Sequence, residues 1–323
     1  MKYLSIQNTD LKPSVIIIGS VCAVEGDTDE AFRMLDIFIE AGGNIIDSAN
    51  VYGKWFSGHT NVCDKNIGKW LKSRKCRDSF IVSTKGGHPP LDDFSKSRLS
   101  RNDVLYDLEE SLTALDTDHI DLYFLHRDDV NTPVEVIIDY LNEFIKSGKI
   151  RYIGCSNWSP ERIEKAQCYA EKHNLHGFVA NQLLWSMADV DMDKYPFPGC
   201  CKMDDTTYAL HRKTGLSAFA YNSQAGGFYK KYLDRASVPV PDNLMAKYSS
   251  KENIDKLMRA ASLSERTGQP LSAVIISYLT SQPFPTAAII GPKNSAQLED
   301  SLQASDLVLT VDDLDFINEN LET

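Results

Sequence analysis

Asp47, Lys85 and His126 each follow a short apolar run: Ile45-Ile46, Phe80–Thr84 and Ile120–Leu125. Tyr52 comes five residues after Asp47, in a turn closed by Gly53. A free phenol titrates near ~10, too high for easy proton exchange near neutrality. A lysine ammonium beside it favours the phenolate and is expected to lower that value, while a carboxylate keeps the lysine charged and aimed. A histidine at the same place can donate to a substrate oxygen. This set suits proton-coupled hydride transfer to or from a carbonyl carbon. No metal-ligand spacing or nucleophile–base pair competes with it.

The apolar runs alternate with amphipathic stretches along the whole chain. Strands are predicted at 15–20, 45–47, 80–84, 120–125, 151–155, 178–181, 216–220 and 287–290. Helices are predicted between them: one with Asp27 and Glu30 at capping-box spacing and a stop at Gly42-Gly43, one over 66–75, one from Arg101, one opened by Thr132-Pro133 and one by Ser159-Pro160. Further helices are predicted over 251–267 and 271–280, from Ser295, and at the C-terminus from Val311. Residues 221–250 read as one long functional loop, and residues 1–14 as a small hairpin. The expected fold is α/β: a (β/α)8 TIM barrel with an N-terminal β-hairpin and an extra C-terminal helix, as one domain over 1–323. Functional residues of such a barrel gather at the C-terminal strand ends. Here those ends are Ser20, Asp47, Lys85, His126, Ser156-Asn157, Gln182, Tyr221 and Gly291–Lys293.

Across these ends run Asp47-Ser-Ala-Asn-Val-Tyr52-Gly53, Thr84-Lys85-Gly86, Leu125-His126-Arg127, Gly154-Cys-Ser156-Asn157-Trp158, Asn181-Gln182, Ala220-Tyr221 and Gly291-Pro-Lys293-Asn-Ser295-Ala-Gln297-Leu298. In these motifs and their order the chain resembles the aldo-keto reductases, and more closely the bacterial ones. The resemblance implies Tyr52 as general acid/base, Lys85 and Asp47 as the groups that tune it, and His126 as the residue that orients the substrate. It also implies a nicotinamide cofactor held without a dinucleotide-binding glycine fingerprint. Gly226-Gly227 follows a loop and is no such fingerprint. Ser156, Asn157 and Gln182 match positions that hold the carboxamide, and Tyr221 matches the aromatic that stacks on the nicotinamide ring.

At the adenosine end, Asn294 and Gln297 have the spacing of a helix start, where free N–H groups attract an anion. Lys293 and Ser295 therefore read as a site for a ribose 2′-phosphate, which favours NADPH/NADP+ and leaves NADH possible. Asp300 and Ser301 stand where the family usually has Glu-Asn, and Ser301 is too short for a two-point adenine contact. Asn222-Ser223-Gln224 replaces the commoner Ser-Pro-Leu that lies near the pyrophosphate. Trp55, Trp158 and Trp185 lie near strand-end loops and are the expected substrate-pocket residues, with a small aldehyde, ketone or sugar as substrate.

The net charge of −11 and pI near 5.1 argue against nucleic acid or an anionic membrane as the main partner. Seven scattered cysteines without a CxxC pair, and no charged-then-apolar leader in Met1–Ser5, predict a cytoplasmic protein. Oligomeric state is open. Two other readings compete: a cofactor-binding regulatory protein resembling a channel subunit, with little turnover, and a Schiff-base lyase or isomerase using Lys85. The second needs a neutral lysine, against which Asp47 argues.

Overall fold

The strands are β1 (Ile16–Gly19), β2 (Ile45–Asp47), β3 (Ile81–Gly86), β4 (Ile120–Leu125), β5 (Ile150–Ser156), β6 (Ala180–Leu184), β7 (Ser217–Tyr221) and β8 (Thr286–Ile290). In the computed structural model, which describes residues 1–319 except 20, 57 and 59, they pair in parallel in chain order, and β8 closes on β1. This is the predicted (β/α)8 barrel. Ser20, expected at the first strand end, lies outside the described residues.

Between and after the strands lie α1 (Asp29–Glu40), α2 (Val62–Arg74), α3 (Arg101–Leu115), α4 (Val134–Lys146), α5 (Pro160–Lys172) and α6 (Asp205–Thr214). The later helices are α7 (Phe228–Leu233), α8 (Asp242–Tyr248), α9 (Lys251–Thr267), α10 (Leu271–Thr280), α11 (Ser295–Leu302) and α12 (Val311–Asn318). The last of these is the expected extra C-terminal helix. The N-terminal hairpin is reduced to a single antiparallel bridge, Tyr3 to Ser14, and its Ile6 and Leu11 pack against the apolar residues inside the barrel.

Alternation along each strand sorts side chains between two cores. Ile17, Ile45, Leu122, Phe124, Phe219 and Ile289 fill the barrel interior. Ile16, Ile18, Ile46, Val82, Tyr123 and Leu125 face the helices. Parity then carries the interior face upward. Asp47 lies two residues beyond Ile45, His126 two beyond Phe124 and Tyr221 two beyond Phe219. The registers set Asp47 beside Ser83, Lys85 beside Phe124 and Ser156 beside Gln182. Gly86 is required at the end of β3, because a Cβ there would stand 2.0 Å from the Tyr123 hydroxyl.

Two sequence expectations are corrected. Residues 221–250 are not one loop: they hold α7 and α8, and the short helix Ala225–Gly227 precedes them. α6 has no counterpart among the predicted helices. Asp27 and Glu30 do not form a capping box either. α1 begins after Thr28 with no side-chain cap, and Glu30 reaches instead to Ser295 at the start of α11.

Candidate active site

The centre of the barrel mouth is a buried ion pair. Lys85 Nζ lies 2.6 Å from Asp47 Oδ2 and donates also to the Ser48 carbonyl at 2.6 Å. The other Asp47 oxygen accepts from Gln182 Nε2 at 2.8 Å and from Ser83 Oγ at 3.3 Å. Both charges are thus bonded as well as paired, the condition under which burial of ions is tolerated. The Tyr52 ring centroid stands 5.0 Å from Lys85 Nζ. The His126 ring meets the Tyr52 ring edge-on, with centroids 5.9 Å apart.

Electrostatics corrects one expectation. Burial raises the Tyr52 pKa, and this outweighs the opposing pull of Lys85. The phenol is therefore held protonated, as suits a donor to a carbonyl oxygen. For Lys85 burial works downward, yet the Asp47 carboxylate and Tyr52 prevail and its pKa lies above the ordinary value. A neutral Schiff-base lysine is disfavoured. Burial above all, with the neighbouring His88 ring and the Arg127 and Lys85 charges, keeps His126 well below its ordinary pKa and so neutral.

His88, which sequence reasoning passed over, lies three residues beyond Lys85, and its ring centroid is 4.7 Å from that of His126. Its Nδ1 sits 2.6 Å from the Pro89 carbonyl, so that nitrogen carries the proton. Burial and the nearby Arg127 and Arg98 charges push its pKa down to about 4. An unfolded chain takes up protons on both histidines as pH falls through ~6.5, and the folded protein does not. Stability should therefore fall from about pH 6.5 towards 4, and His88→Gln should flatten that fall in thermal melts. An unchanged slope would place the titration elsewhere.

The β2 loop rests on a second buried carboxylate that was also missed. Asp64 accepts from Ser48 Oγ at 2.5 Å, from Asn61 Nδ2 at 2.6 Å and from Thr84 Oγ1 at 3.3 Å. Asn61 also caps α2. The Asp-Ser-Ala-Asn-Val-Tyr run is thereby fixed behind Tyr52. Asn61 and Asp64 have the spacing of a helix cap in the sequence, the one signal that could have found them.

Of the predicted cofactor residues, Ser156, Asn157, Gln182 and Tyr221 come together. Tyr221 donates to Asn157 Oδ1 at 2.8 Å, and Asn157 Nδ2 donates to Ser156 Oγ at 3.0 Å. Asn157 adopts a left-handed φ of 62°. The Ser156 hydroxyl proton and Gln182 Oε1 are unused among the described residues. One donor and one acceptor are what a carboxamide needs, so these residues fit a nicotinamide.

In the β7 loop, Asn222 Nδ2 donates to the Tyr248 hydroxyl at 2.6 Å and Ser223 Oγ to the Ile289 carbonyl at 2.6 Å. Gln224 Nε2 donates to Ser301 Oγ at 3.3 Å. Ser301 is buried and also donates to the Gln297 carbonyl, so its hydroxyl is already engaged within the protein both as donor and as acceptor. Asp300 is exposed in the last turn of α11, and Gly291 and Lys293 are exposed just before its start. There Asn294 caps Gln297 N, and Gln297 Oε1 accepts from Lys293 N. Ser295 N and Oγ both donate to Glu30 Oε1, at 2.6 and 2.8 Å.

The three tryptophans separate. Trp55 is 52 % exposed beside Tyr52 and lines a cleft of about 520 Å³ with Lys54, His88, Leu91 and Arg98. Trp158 is 1 % exposed, packed edge-on to Phe178, and its Nε1 donates to the Arg127 carbonyl. Trp185 is buried and stacked on Phe284. The latter two belong to the helix-facing core and do not line the mouth, contrary to expectation.

Comparison with known proteins agrees with this geometry. The aldo/keto reductase family profile matches residues 16–322. An uncharacterized oxidoreductase of Bacillus subtilis, YrpG, is 29 % identical over 99 % of this chain and 95 % of its own length. A probable aryl-alcohol dehydrogenase of Saccharomyces cerevisiae is 24 % identical over 90 % of this chain and 87 % of its own. Norsolorinic acid reductase B of Aspergillus parasiticus is 32 % identical over 54 % of this chain and 46 % of its own. With a closed eight-stranded barrel, a carboxylate–lysine–phenol–imidazole mouth and these relatives, the chain belongs to the aldo/keto reductase family of oxidoreductases.

Proposed function

We propose that the protein is an NADP(H)-dependent carbonyl reductase that interconverts an aldehyde, ketone or sugar carbonyl and its alcohol. Residues 1–323 act as one catalytic domain, in the cytoplasm. The observation that carries this reading is the contact of Tyr52 with both Lys85 Nζ, 5.0 Å from its ring, and a neutral His126, 5.9 Å from it between ring centroids. A bound nicotinamide would supply the hydride. Tyr52 then donates its proton to the carbonyl oxygen, and Lys85 stabilises the phenolate left behind. His126 orients the same oxygen. Asp47 holds Lys85 charged, and Gln182 ties Asp47 to the strand that carries the carboxamide site. In the alcohol-to-carbonyl direction the proton returns to Tyr52 as hydride leaves the carbinol carbon.

Lys293 and the donors of Ser295 support the NADP(H) preference, with Glu30 opposing it. The Glu30 carboxylate is held by the two donors that a 2′-phosphate would take. Fluorescence titration tests this, with Trp55 beside Tyr52 as reporter. NADPH should quench more tightly than NADH. Lys293→Ala should weaken NADPH roughly tenfold with little effect on NADH, and Glu30→Gln should tighten NADPH severalfold. Equal affinities in the parent protein would move the preference to NADH or dual use. Absence of binding by either dinucleotide would end the oxidoreductase reading.

A further inference from the structure

Arginines in this chain hold carboxylates in a recurrent way. Arg162 Nε and Nη2 grip the two Asp128 oxygens at 3.0 and 2.9 Å. Arg74 does the same with Asp36 at 2.9 and 2.6 Å. This side-on fork matches a carboxylate in both spacing and plane. Arg127 differs. Its Nη1 donates to the His126 carbonyl at 3.0 Å, which fixes the guanidinium. Its Nε is buried without a hydrogen-bond partner, and Nη2 has none among the described residues. No carboxylate lies within ion-pair distance of it among those residues, and the neighbouring Asp128 is taken by Arg162.

Arg127 is tied to the reaction site. Its Nη1 and Asn157 Nδ2 both donate to the His126 carbonyl, at 3.0 and 3.2 Å, and Asn157 Oδ1 in turn accepts from the Tyr221 hydroxyl. Burial is the larger influence on the pKa of both Tyr52 and His126, and the Arg127 charge pulls each of them down. A Cβ at Gly199 would meet the Arg127 stem at 3.9 Å, so Gly199 lies beside it. Arg127 is half-buried, and the edge formed by its buried Nε and its Nη2 is unspent and faces no counter-charge among the described residues, the arrangement a planar anion would complete.

We infer that Arg127 binds a carboxylate of the substrate through its Nε–Nη2 edge, so that the preferred substrates are carbonyl compounds that also bear a carboxylate. This rests on the hydride-transfer reading above. It makes Arg127 a specificity residue, with the proton and hydride steps unchanged.

The test compares 4-carboxybenzaldehyde with its methyl ester, and benzoate with benzamide. The acid should exceed the ester in kcat/KM by about tenfold or more, and that ratio should collapse in Arg127→Gln. Arg127→Lys keeps the charge but loses the planar fork. It should cut the ratio severalfold, and it serves where the glutamine variant does not fold. Benzoate should bind the NADP+-loaded parent protein at least tenfold more tightly than it binds the variant, with no such difference for benzamide. An acid-to-ester ratio unmoved by substitution overturns the inference. So does indistinguishable benzoate binding to the two proteins, including none to either. Should no carbonyl compound be reduced while dinucleotides still bind, the reductase reading fails, and the benzoate comparison still decides the role of Arg127.

Discussion

Replacement of Tyr52 by Phe is expected to lower kcat by about 10²–10⁴-fold, the usual contribution of a positioned proton donor. The ring survives this change, and with it the edge contact to His126 and the packing against Trp55. The hydroxyl makes no hydrogen bond among the described residues, so its removal leaves no partner stranded. NADPH affinity and melting temperature should therefore stay close to those of the parent. Single-turnover measurement with excess enzyme separates the hydride step from product release. Near-normal turnover in Tyr52→Phe would remove the phenol from the mechanism and move the proton step to another group at the mouth, His126 or Lys85.

The second large effect is on stability. Lys85 and Asp47 are both buried, and the pair is bonded on every side by Ser48, Ser83 and Gln182. Removing one partner leaves an uncompensated charge in the barrel, which costs ~3–5 kcal/mol. Asp47→Leu should lose about that much in denaturant unfolding. The double change Asp47→Leu with Lys85→Met removes both charges and should recover most of the loss. Activity should not return with it, because the phenolate would have no cation beside it. A double variant no more stable than the single one would mean that the pair contributes through packing. A double variant with restored turnover would show that Tyr52 works without Lys85.

Much of this was legible in the sequence for one physical reason. A buried parallel strand has to be apolar, so a charged residue at its end stands out, and Asp47, Lys85 and His126 did. Parity then required them to share the barrel interior. What the sequence hid were matters of long-range partnership. Glu30 had the spacing of a local cap, yet its partner Ser295 lies 265 residues away. Trp158 and Trp185 sit at strand ends as the site residues do, and only the packing of Phe178 and Phe284 shows that they turn outward. α7 and α8 are short, and the apolar period over six or seven residues is too brief to read against a Gly- and Pro-rich background. The upward shift of Tyr52 was equally hidden, since burial is a property of the whole mouth.

The alternation inside the barrel has a further consequence, for how this chain can vary. Asp47, Lys85, His126, Gln182 and Tyr221 all sit on one phase of a two-residue period, so the strands behave as a reading frame. Loss of one residue within β2 ahead of Asp47 would draw Ser48 into the interior phase and turn Asp47 towards the helices. The site would be undone without any of its residues being replaced. Insertions in the exposed stretch 234–239, between α7 and α8, leave that phase untouched. Length variation among related sequences should therefore fall outside the strands, in segments such as this one.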